Sequence, residues 1–179
     1  MRKYNYKNCQ SLFGYAAAVH IRSNGKCQLC GCGSPNPDFD LWRQMTVEHL
    51  IGKSQGGYLK QILAAVAVRF PELSATEREE LSKRLDTLNT VTACSFCNST
   101  TSRDINNKSM SELLNEAQGS IADIEVYISN HLQLILERKR KDVQWKLLSV
   151  KEAFENEVLA KIIAQGLTHH SSGTPNGAP

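Results

Sequence analysis

Two pairs of cysteines in this sequence share the spacing Cys-x-x-Cys: Cys27 with Cys30, and Cys94 with Cys97. This short spacing lets both thiolates of a pair turn toward one ion, and two pairs supply the four sulfurs of a closed tetrahedral zinc site. Because such a site has no open coordination position, we expect a structural ion whose binding is coupled to folding.

The alternative is that these cysteines are unrelated buried thiols, since the chain between the two pairs is long. Cys32 could compete with Cys30 as a ligand, and Cys9 is interpreted as a structural or free thiol. Clustered cysteines in a reducing compartment favour metal binding or catalysis over disulfides. We therefore favour the zinc interpretation.

A second group of polar residues could act on a phosphodiester. A neutral imidazole near pH 7 can take a proton from water. A hard cation held by one or two protein oxygens keeps coordination positions open for phosphate and water, as Mg²⁺ prefers. A histidine, an acidic side chain and two asparagines, with a Gly-Gly turn among them, occur in the order Glu48, His49, Gly56, Gly57, Asn89 and Asn98.

The ordered set of these residues and the cysteine pairs resembles the HNH nuclease family, in its zinc-bearing branch, over about residues 10–105. That family has an acidic residue and a histidine on a strand, a Gly-Gly turn, an asparagine shortly before a Cys-x-x-Cys pair, and an Asn or His directly after it. The resemblance implies an α+β fold with a small ββα-metal core held together by a four-cysteine zinc site.

The resemblance also implies a role for each matched residue. His49 would be the general base that activates water for attack on phosphorus, and Asn89 would fix the loop that carries it. Glu48 and Asn98 would be the protein ligands of a catalytic Mg²⁺ or Mn²⁺ ion. Outside this ordered set, Asn98 could simply cap the following helix and Glu48 could be a solvated strand residue.

The sequence departs from the usual family pattern in ways that affect the expected site. Glu48 stands where Asp is more common, and Thr100-Thr101 stand where Arg-Lys often follows the second cysteine pair. Arg103 could supply the missing charge to a phosphate, with an ordinary surface charge as the alternative. Lys53 is the other candidate contact to nucleic acid.

Residues 58–87 stand where the family usually has a short loop, and their pattern predicts an inserted helical hairpin. The first helix of this hairpin would end before Pro71, which cannot continue it. Ser74 and Glu77 have the spacing of a capping box and would begin the second helix, which should run to about Leu85.

The remaining elements follow from hydrophobic periodicity. A helix over residues 10–24 precedes the first cysteine pair, and strands around Met45 to His49 and over Leu88 to Ala93 would form the sheet. We therefore expect three parts: a nuclease core with its N-terminal helix and insert (1–118), a helical extension (119–167) and a disordered tail (168–179).

The helical extension carries two apolar stripes with spacings of three and four residues, which indicates amphipathic helix. We favour packing of these stripes on the core or on each other, and a homodimer interface formed by the C-terminal helices is the alternative. The stripes consist of Ile121, Ile124, Ile128, Leu132 and Ile135, and of Val143, Leu147, Val150, Phe154, Val158 and Ile162.

Composition limits the class of protein and its compartment. The chain of 179 residues has a formal net charge of +3, which permits nucleic-acid binding without proving it. No apolar run approaches the ~20 residues that span a bilayer, and the N-terminus lacks an apolar signal segment, so we expect a cytoplasmic protein without membrane association. The basic run 138–141 is typical of either a solvated helix face or a nucleic-acid contact.

The resemblance to HNH nucleases implies a metal-dependent endonuclease of restriction or phage type whose partner is DNA, with structural Zn²⁺ and catalytic Mg²⁺ or Mn²⁺. One alternative is a zinc-stapled DNA-binding module without catalysis, which would bind DNA and leave it uncut. Another alternative is an HNH nuclease that acts on RNA, which a comparison of DNA and RNA substrates would distinguish from a DNA endonuclease.

Overall fold

The computed structural model describes residues 17–33, 36, 38–101 and 107–166. Mixed helix and strand in this part of the chain confirm the predicted α+β fold. Besides a 3₁₀ turn at Lys53–Gln55 and a π-helical turn at Phe154–Leu159, the elements in chain order are α1 (Ala17–Arg22), α2 (Phe39–Trp42), β1 (Met45–His49), α3 (Leu59–Arg69), α4 (Ala75–Asn89), β2 (Thr90–Cys94), α5 (Ser95–Thr100), α6 (Met110–Glu116), α7 (Ile121–Ala153) and α8 (Ala160–Ala164).

The two described strands pair antiparallel, with Met45 opposite Cys94 and His49 opposite Thr90. Helix α5 follows β2 directly and packs against both strands. This register places the end of β2 that carries Cys94 at one end of the sheet and His49 at the other. The sheet therefore separates the second cysteine pair from the histidine by the length of one strand.

The segment between the two strands folds as a pair of helices, α3 and α4, that pack against each other. The predicted capping box is confirmed, because Ser74 Oγ accepts from the Glu77 amide at 3.3 Å and Glu77 Oε2 accepts from the Ser74 amide at 2.8 Å. Helix α4 runs past the expected end near Leu85 to Asn89, since its sequence contains no proline or glycine that would stop it. The second strand accordingly begins later than predicted, at Thr90.

Helices α6 and α7 carry most of the remaining core. The spacing of Ser109 and Glu112 again forms a capping box at the start of α6. The first apolar stripe of the helical extension is buried, as predicted, at four of its five positions: Ile124, Ile128, Leu132 and Ile135. Burial of this row stabilises the fold, because each square ångström of apolar surface removed from water contributes about 25 cal/mol.

The chain divides into two compact units, residues 1–144 and residues 145–179. In the second unit, the side chains of Val150, Phe154 and Val158 from the second apolar stripe are about half exposed. The homodimer interface stays a prediction. None of the described helices is both long enough and apolar enough to cross a membrane.

Some of the sequence predictions fall on residues outside the described part of the chain. These are the first part of the helix over 10–24, the side chains of Cys9 and Arg103, and the disordered tail over 168–179. They stay predictions.

Candidate functional site

The four cysteines of the two Cys-x-x-Cys pairs form one cluster, as the sequence predicts. The Sγ atoms of Cys27, Cys30, Cys94 and Cys97 all lie within 4.8 Å of one another, and those of Cys30 and Cys94 are 3.9 Å apart. A tetrahedral zinc site with Zn–S bonds of about 2.3 Å separates neighbouring sulfurs by about 3.8 Å. The donor set and its spacing therefore fit a structural zinc ion.

Backbone hydrogen bonds bring the first cysteine pair to the second. A tight turn closes where the Cys27 amide donates to the Cys32 carbonyl at 2.8 Å and the Gly31 amide donates to the Cys27 carbonyl at 2.9 Å. The Gln28 amide donates to the carbonyl of Thr92 in β2 at 2.8 Å, so the turn is attached to the strand that ends at Cys94. Cys32 is exposed and lies outside the cluster.

The thiols of the cluster perturb one another's acidity. The hydrogen bond between Cys27 and Cys94 lowers the pKa of Cys27 and raises the pKa of Cys94, because it stabilises one thiolate beside one thiol. Burial raises the pKa of Cys97. Zinc binding must therefore displace protons from this cluster, which couples metal affinity to pH.

A cleft of about 840 Å³ opens beside the far end of β1. Both polar residues at the end of this strand, Glu48 and His49, line it, and so do Lys53 and Asn98. Three segments that are distant in sequence thus meet at one cavity: the strand with its following turn and the start of α3, the end of α5, and helix α7, which contributes Lys139.

Asn89 is fully buried and is not among the residues that line this cleft. Its Oδ1 accepts from the Ile51 amide at 2.8 Å, and its Nδ2 donates to the carbonyls of Ile51 at 3.0 Å and Gly57 at 2.8 Å. The Leu50 amide donates to the backbone carbonyl of Asn89 at 2.8 Å. One side chain therefore closes the loop that follows His49, using both ends of its amide.

Gly57 is required in this loop by the closeness of the chain on its other side. A Cβ at this position would lie 1.7 Å from the Ile51 carbonyl oxygen and 2.9 Å from Asn89 Nδ2. The nearest atoms belong to the backbone of Ile51, which cannot move aside as the end of a flexible side chain could. The second glycine of the Gly-Gly turn is thus explained by sterics.

Glu48 is paired with a lysine that sequence reasoning did not assign to the site. Lys139 Nζ donates to Glu48 Oε1 at 2.7 Å, and Lys139 is only 8% exposed. A signal for this lysine was present in the sequence, because it continues the buried face of α7 between Leu136 and Val143. A lysine on the apolar face of an amphipathic helix needs an anionic partner.

Asn98 is oriented by a hydrogen bond to the first strand. Its Nδ2 donates to Thr46 Oγ1 at 2.8 Å. Thr46 and Glu48 are two residues apart on a strand, so their side chains leave the same face of the sheet. The bond therefore holds the Asn98 amide on the face from which Glu48 projects, with its oxygen as the atom that could bind a cation.

The imidazole of His49 is held from two directions. Its ring stacks on Tyr58 with centroids 4.3 Å apart. Its Nε2 lies 3.7 Å from Oδ1 of Asp86, a residue of the hairpin helix α4. Neither neighbour was assigned to the site from the sequence, since both lie in the segment interpreted as an insertion.

The basic run on α7 is tied to the rest of the first unit more closely than a solvated face would be. Besides the ion pair of Lys139, Arg138 donates to the side chain of Asn107, and Arg140 Nε donates to the Gln28 carbonyl at 2.7 Å. The last bond links α7 to the turn that carries the first cysteine pair. The contribution of this run to nucleic-acid binding stays a prediction.

The fold and the cleft define a small α+β protein with a four-cysteine cluster suited to zinc and a separate polar cleft. No protein-family profile, curated protein or solved structure matches this chain. Any functional assignment for this protein must therefore be based on the chemistry of its own residues.

Proposed function

We propose that this protein is a metal-dependent endonuclease of the HNH type that hydrolyses phosphodiester bonds in DNA. The observation that carries the proposal is the meeting of Glu48, His49 and Asn98 at one cleft, in a chain that also holds a four-cysteine cluster. A base, a carboxylate oxygen and an amide oxygen are the groups that water activation and divalent-cation binding require.

The donor set at the cleft fits a hard divalent cation. Glu48 offers a carboxylate and Asn98 an amide oxygen, which are ligands that Mg²⁺ and Mn²⁺ accept while keeping several waters. Lys139 binds Oε1 of Glu48, and the second oxygen of the carboxylate would take the cation. The bound cation would supply charge neutralisation at the phosphate and the leaving oxygen.

In this mechanism, the residues of the chain bind the phosphate and move one proton. His49 takes a proton from the attacking water. Lys53, which lines the cleft, attracts the phosphodiester by its charge. Asn89 keeps the loop after His49 closed, so the imidazole keeps its place in the lining of the cleft.

The proposal is tested by incubating zinc-loaded protein with supercoiled plasmid, phage DNA and a panel of RNAs, with Mg²⁺, with Mn²⁺ and with EDTA. We expect metal-dependent cleavage of DNA that is lost in His49→Ala. His131→Ala is the matched control, since His131 is outside the residues that line the cleft. Discrete fragments would indicate a restriction-type enzyme, and equal cleavage by His49→Ala would refute the assignment.

A second candidate function is a zinc-stapled DNA-binding module without catalysis. The ion pair between Lys139 and Glu48 favours it, because an ammonium group already neutralises the carboxylate that would bind the catalytic cation. Retardation of DNA in a gel by unaltered protein that cleaves neither DNA nor RNA would support this module. Cleavage of RNA alone would support an RNA-directed nuclease that uses the same residues.

A further inference from the structure

The inserted hairpin contributes an acidic side chain to the surroundings of His49. Asp86 lies in the last turn of α4, and its Oδ1 is 3.7 Å from Nε2 of His49 at the end of β1. The two side chains are mostly buried, with exposed fractions of 23% for His49 and 27% for Asp86. Thirty-seven positions separate them in the sequence, so the fold alone brings them together.

The carboxylate of Asp86 has an oxygen that the surrounding protein leaves unsatisfied. Its Oδ1 is buried and has no hydrogen-bond partner within the described part of the chain. A buried acceptor without a donor is destabilising. The imidazole Nε2 of His49 is the ring nitrogen that faces this oxygen, and a short movement would turn the 3.7 Å contact into a hydrogen bond.

One face of the imidazole ring is restrained as well. Tyr58 stacks on the ring at 4.3 Å, with an interplanar angle of 28°. Tyr58 immediately precedes α3, so both helices of the hairpin contribute a contact to the same histidine. The ring is therefore held in its plane by Tyr58 and faces Asp86 with one edge.

We infer that Asp86 is a positioning residue that keeps the proton of neutral His49 on Nε2 and leaves Nδ1 as the base. This inference rests on the proposed nuclease function. A neutral imidazole has one donor nitrogen and one acceptor nitrogen, and a carboxylate at Nε2 selects the tautomer that donates there.

The proton balance of the step follows from this tautomer. Water gives one proton to Nδ1 of His49, and its oxygen forms the new bond to phosphorus. The ester bond from phosphorus to the leaving oxygen breaks, and that oxygen takes a proton from solvent. The imidazolium that forms carries its charge beside the Asp86 carboxylate, which stabilises it.

Asp86 has a competing structural role that the experiment must separate from positioning. Arg22 interacts electrostatically with this carboxylate, and its guanidinium donates to the Thr90 carbonyl at 3.1 Å. If Asp86 served only as a counter-ion for Arg22, its removal would change the free energy of unfolding. It would leave the tautomer of His49 unchanged.

The test compares Asp86→Asn with unaltered zinc-loaded protein in plasmid cleavage at saturating Mg²⁺. Where the carboxylate sets the tautomer, its loss reduces kcat by up to about 10⁴-fold in the best-studied cases. We expect a fall of roughly 10²-fold in kcat with little change in KM, and partial recovery in Asp86→Glu. Asp40→Asn is the matched control, because Asp40 is an exposed acid paired with Arg43.

A second measurement applies even if Asp86→Asn folds poorly or if no nucleic acid is cleaved. Nitrogen-15 NMR of unaltered protein, with His49 assigned by comparison with His49→Ala, reports which ring nitrogen carries the proton. A proton on Nε2 supports the inference, and a proton on Nδ1 overturns it. An unchanged kcat in Asp86→Asn also overturns the inference. If no nucleic acid is cleaved but the proton is on Nε2, the result counts against the proposed nuclease function and not against the role of Asp86.

Discussion

At the scale of single residues, the contact between Lys139 and Glu48 changes how the cleft must work. The sequence predicts Glu48 as a metal ligand. Lys139 belongs to a basic run for which the sequence allows either a solvated helix face or a nucleic-acid contact. The structure joins their charged atoms at 2.7 Å in a largely buried setting. A cation that binds Glu48 must therefore share the carboxylate with an ammonium group.

Replacing Lys139 with Met should destabilise the protein. The change leaves the Glu48 carboxylate without its cation in a site where the Glu48 side chain is 16% exposed. Removal of one partner from a fully buried pair costs about 3–5 kcal/mol, so we expect about 1–3 kcal/mol in this partly exposed case. Urea denaturation of the zinc-loaded protein measures the loss.

Lys83→Met provides the control for that substitution. Lys83 pairs with Glu79 at the same distance of 2.7 Å, but both side chains are more than half exposed. Surface pairs contribute about 0–1 kcal/mol, so this variant should be close to unaltered protein. Equal effects of the two substitutions would contradict the assigned burial of Lys139.

His20 should make the folded state less stable in acid. Burial lowers the pKa of His20 from its ordinary value of 6.5, and its Nδ1 forms a hydrogen bond with Thr92 Oγ1 at 3.1 Å. Below about pH 6.5 the unfolded chain binds a proton that folded His20 resists, so stability falls as the pH drops through that range. In His20→Gln, the difference in free energy of unfolding from the unaltered protein should shrink as the pH falls from 8 to 5.

At the scale of elements, the contacts that hold the loop after β1 can be predicted only in part from the sequence. The Gly-Gly turn and the asparagine before the second cysteine pair can be read from the sequence. The bond from Asn89 Nδ2 to the Gly57 carbonyl shows why they occur together, since the amide reaches across the loop at 2.8 Å. A side chain at Gly57 would open the loop beside His49.

Gly57→Ala should destabilise the protein and disturb the cleft. The added Cβ would overlap the Ile51 carbonyl, so the loop must move and break the bonds to Asn89. We expect a loss of roughly 2–4 kcal/mol, comparable to other changes that strain buried backbone. Gly52→Ala is the control for stability, because its Cβ would meet nothing within 4 Å; equal stability of the two variants would contradict this account.

Local patterns made some elements predictable and left others beyond reach. Strand β1 and the capping box of Ser74 and Glu77 follow from neighbours in sequence, and the structure places them where the pattern does. The contacts of Lys139 and Asp86 are with residues that are distant in sequence, and hydrophobic periodicity does not predict such contacts. Helix α2 was missed because its first turn depends on a single side-chain cap from Asp38, in a segment that resembles loop.

At the scale of the whole molecule, the four-cysteine cluster connects the turn after α1 to the sheet and to α5. Such a cluster links segments that lack a large shared core, and its ion would contribute directly to folding. The sequence predicts that these four cysteines form one cluster. For the first part of the long helix α7, the sequence shows an apolar stripe and does not show which residues it packs against.

Removal of zinc should unfold the core. We expect one zinc per chain in purified protein by atomic emission, and loss of the cooperative thermal transition after chelation, because structural zinc contributes about 10 kcal/mol or more in small domains. Cys94→Ser should lose the ion. Cys32→Ser should retain it, since Cys32 lies outside the cluster; loss of zinc in both variants would contradict the assignment of the four ligands.

The central claim is that the cleft at Glu48 and His49 cuts phosphodiester bonds with a divalent cation. The most direct measurement is the rate at which zinc-loaded protein converts supercoiled plasmid to nicked or linear forms as Mg²⁺ is titrated. The account predicts a rate that rises with Mg²⁺ and falls by about 10³-fold or more in Glu48→Gln, with zinc content unchanged. Conversion that needs no divalent cation, or that Glu48→Gln leaves intact, would contradict it.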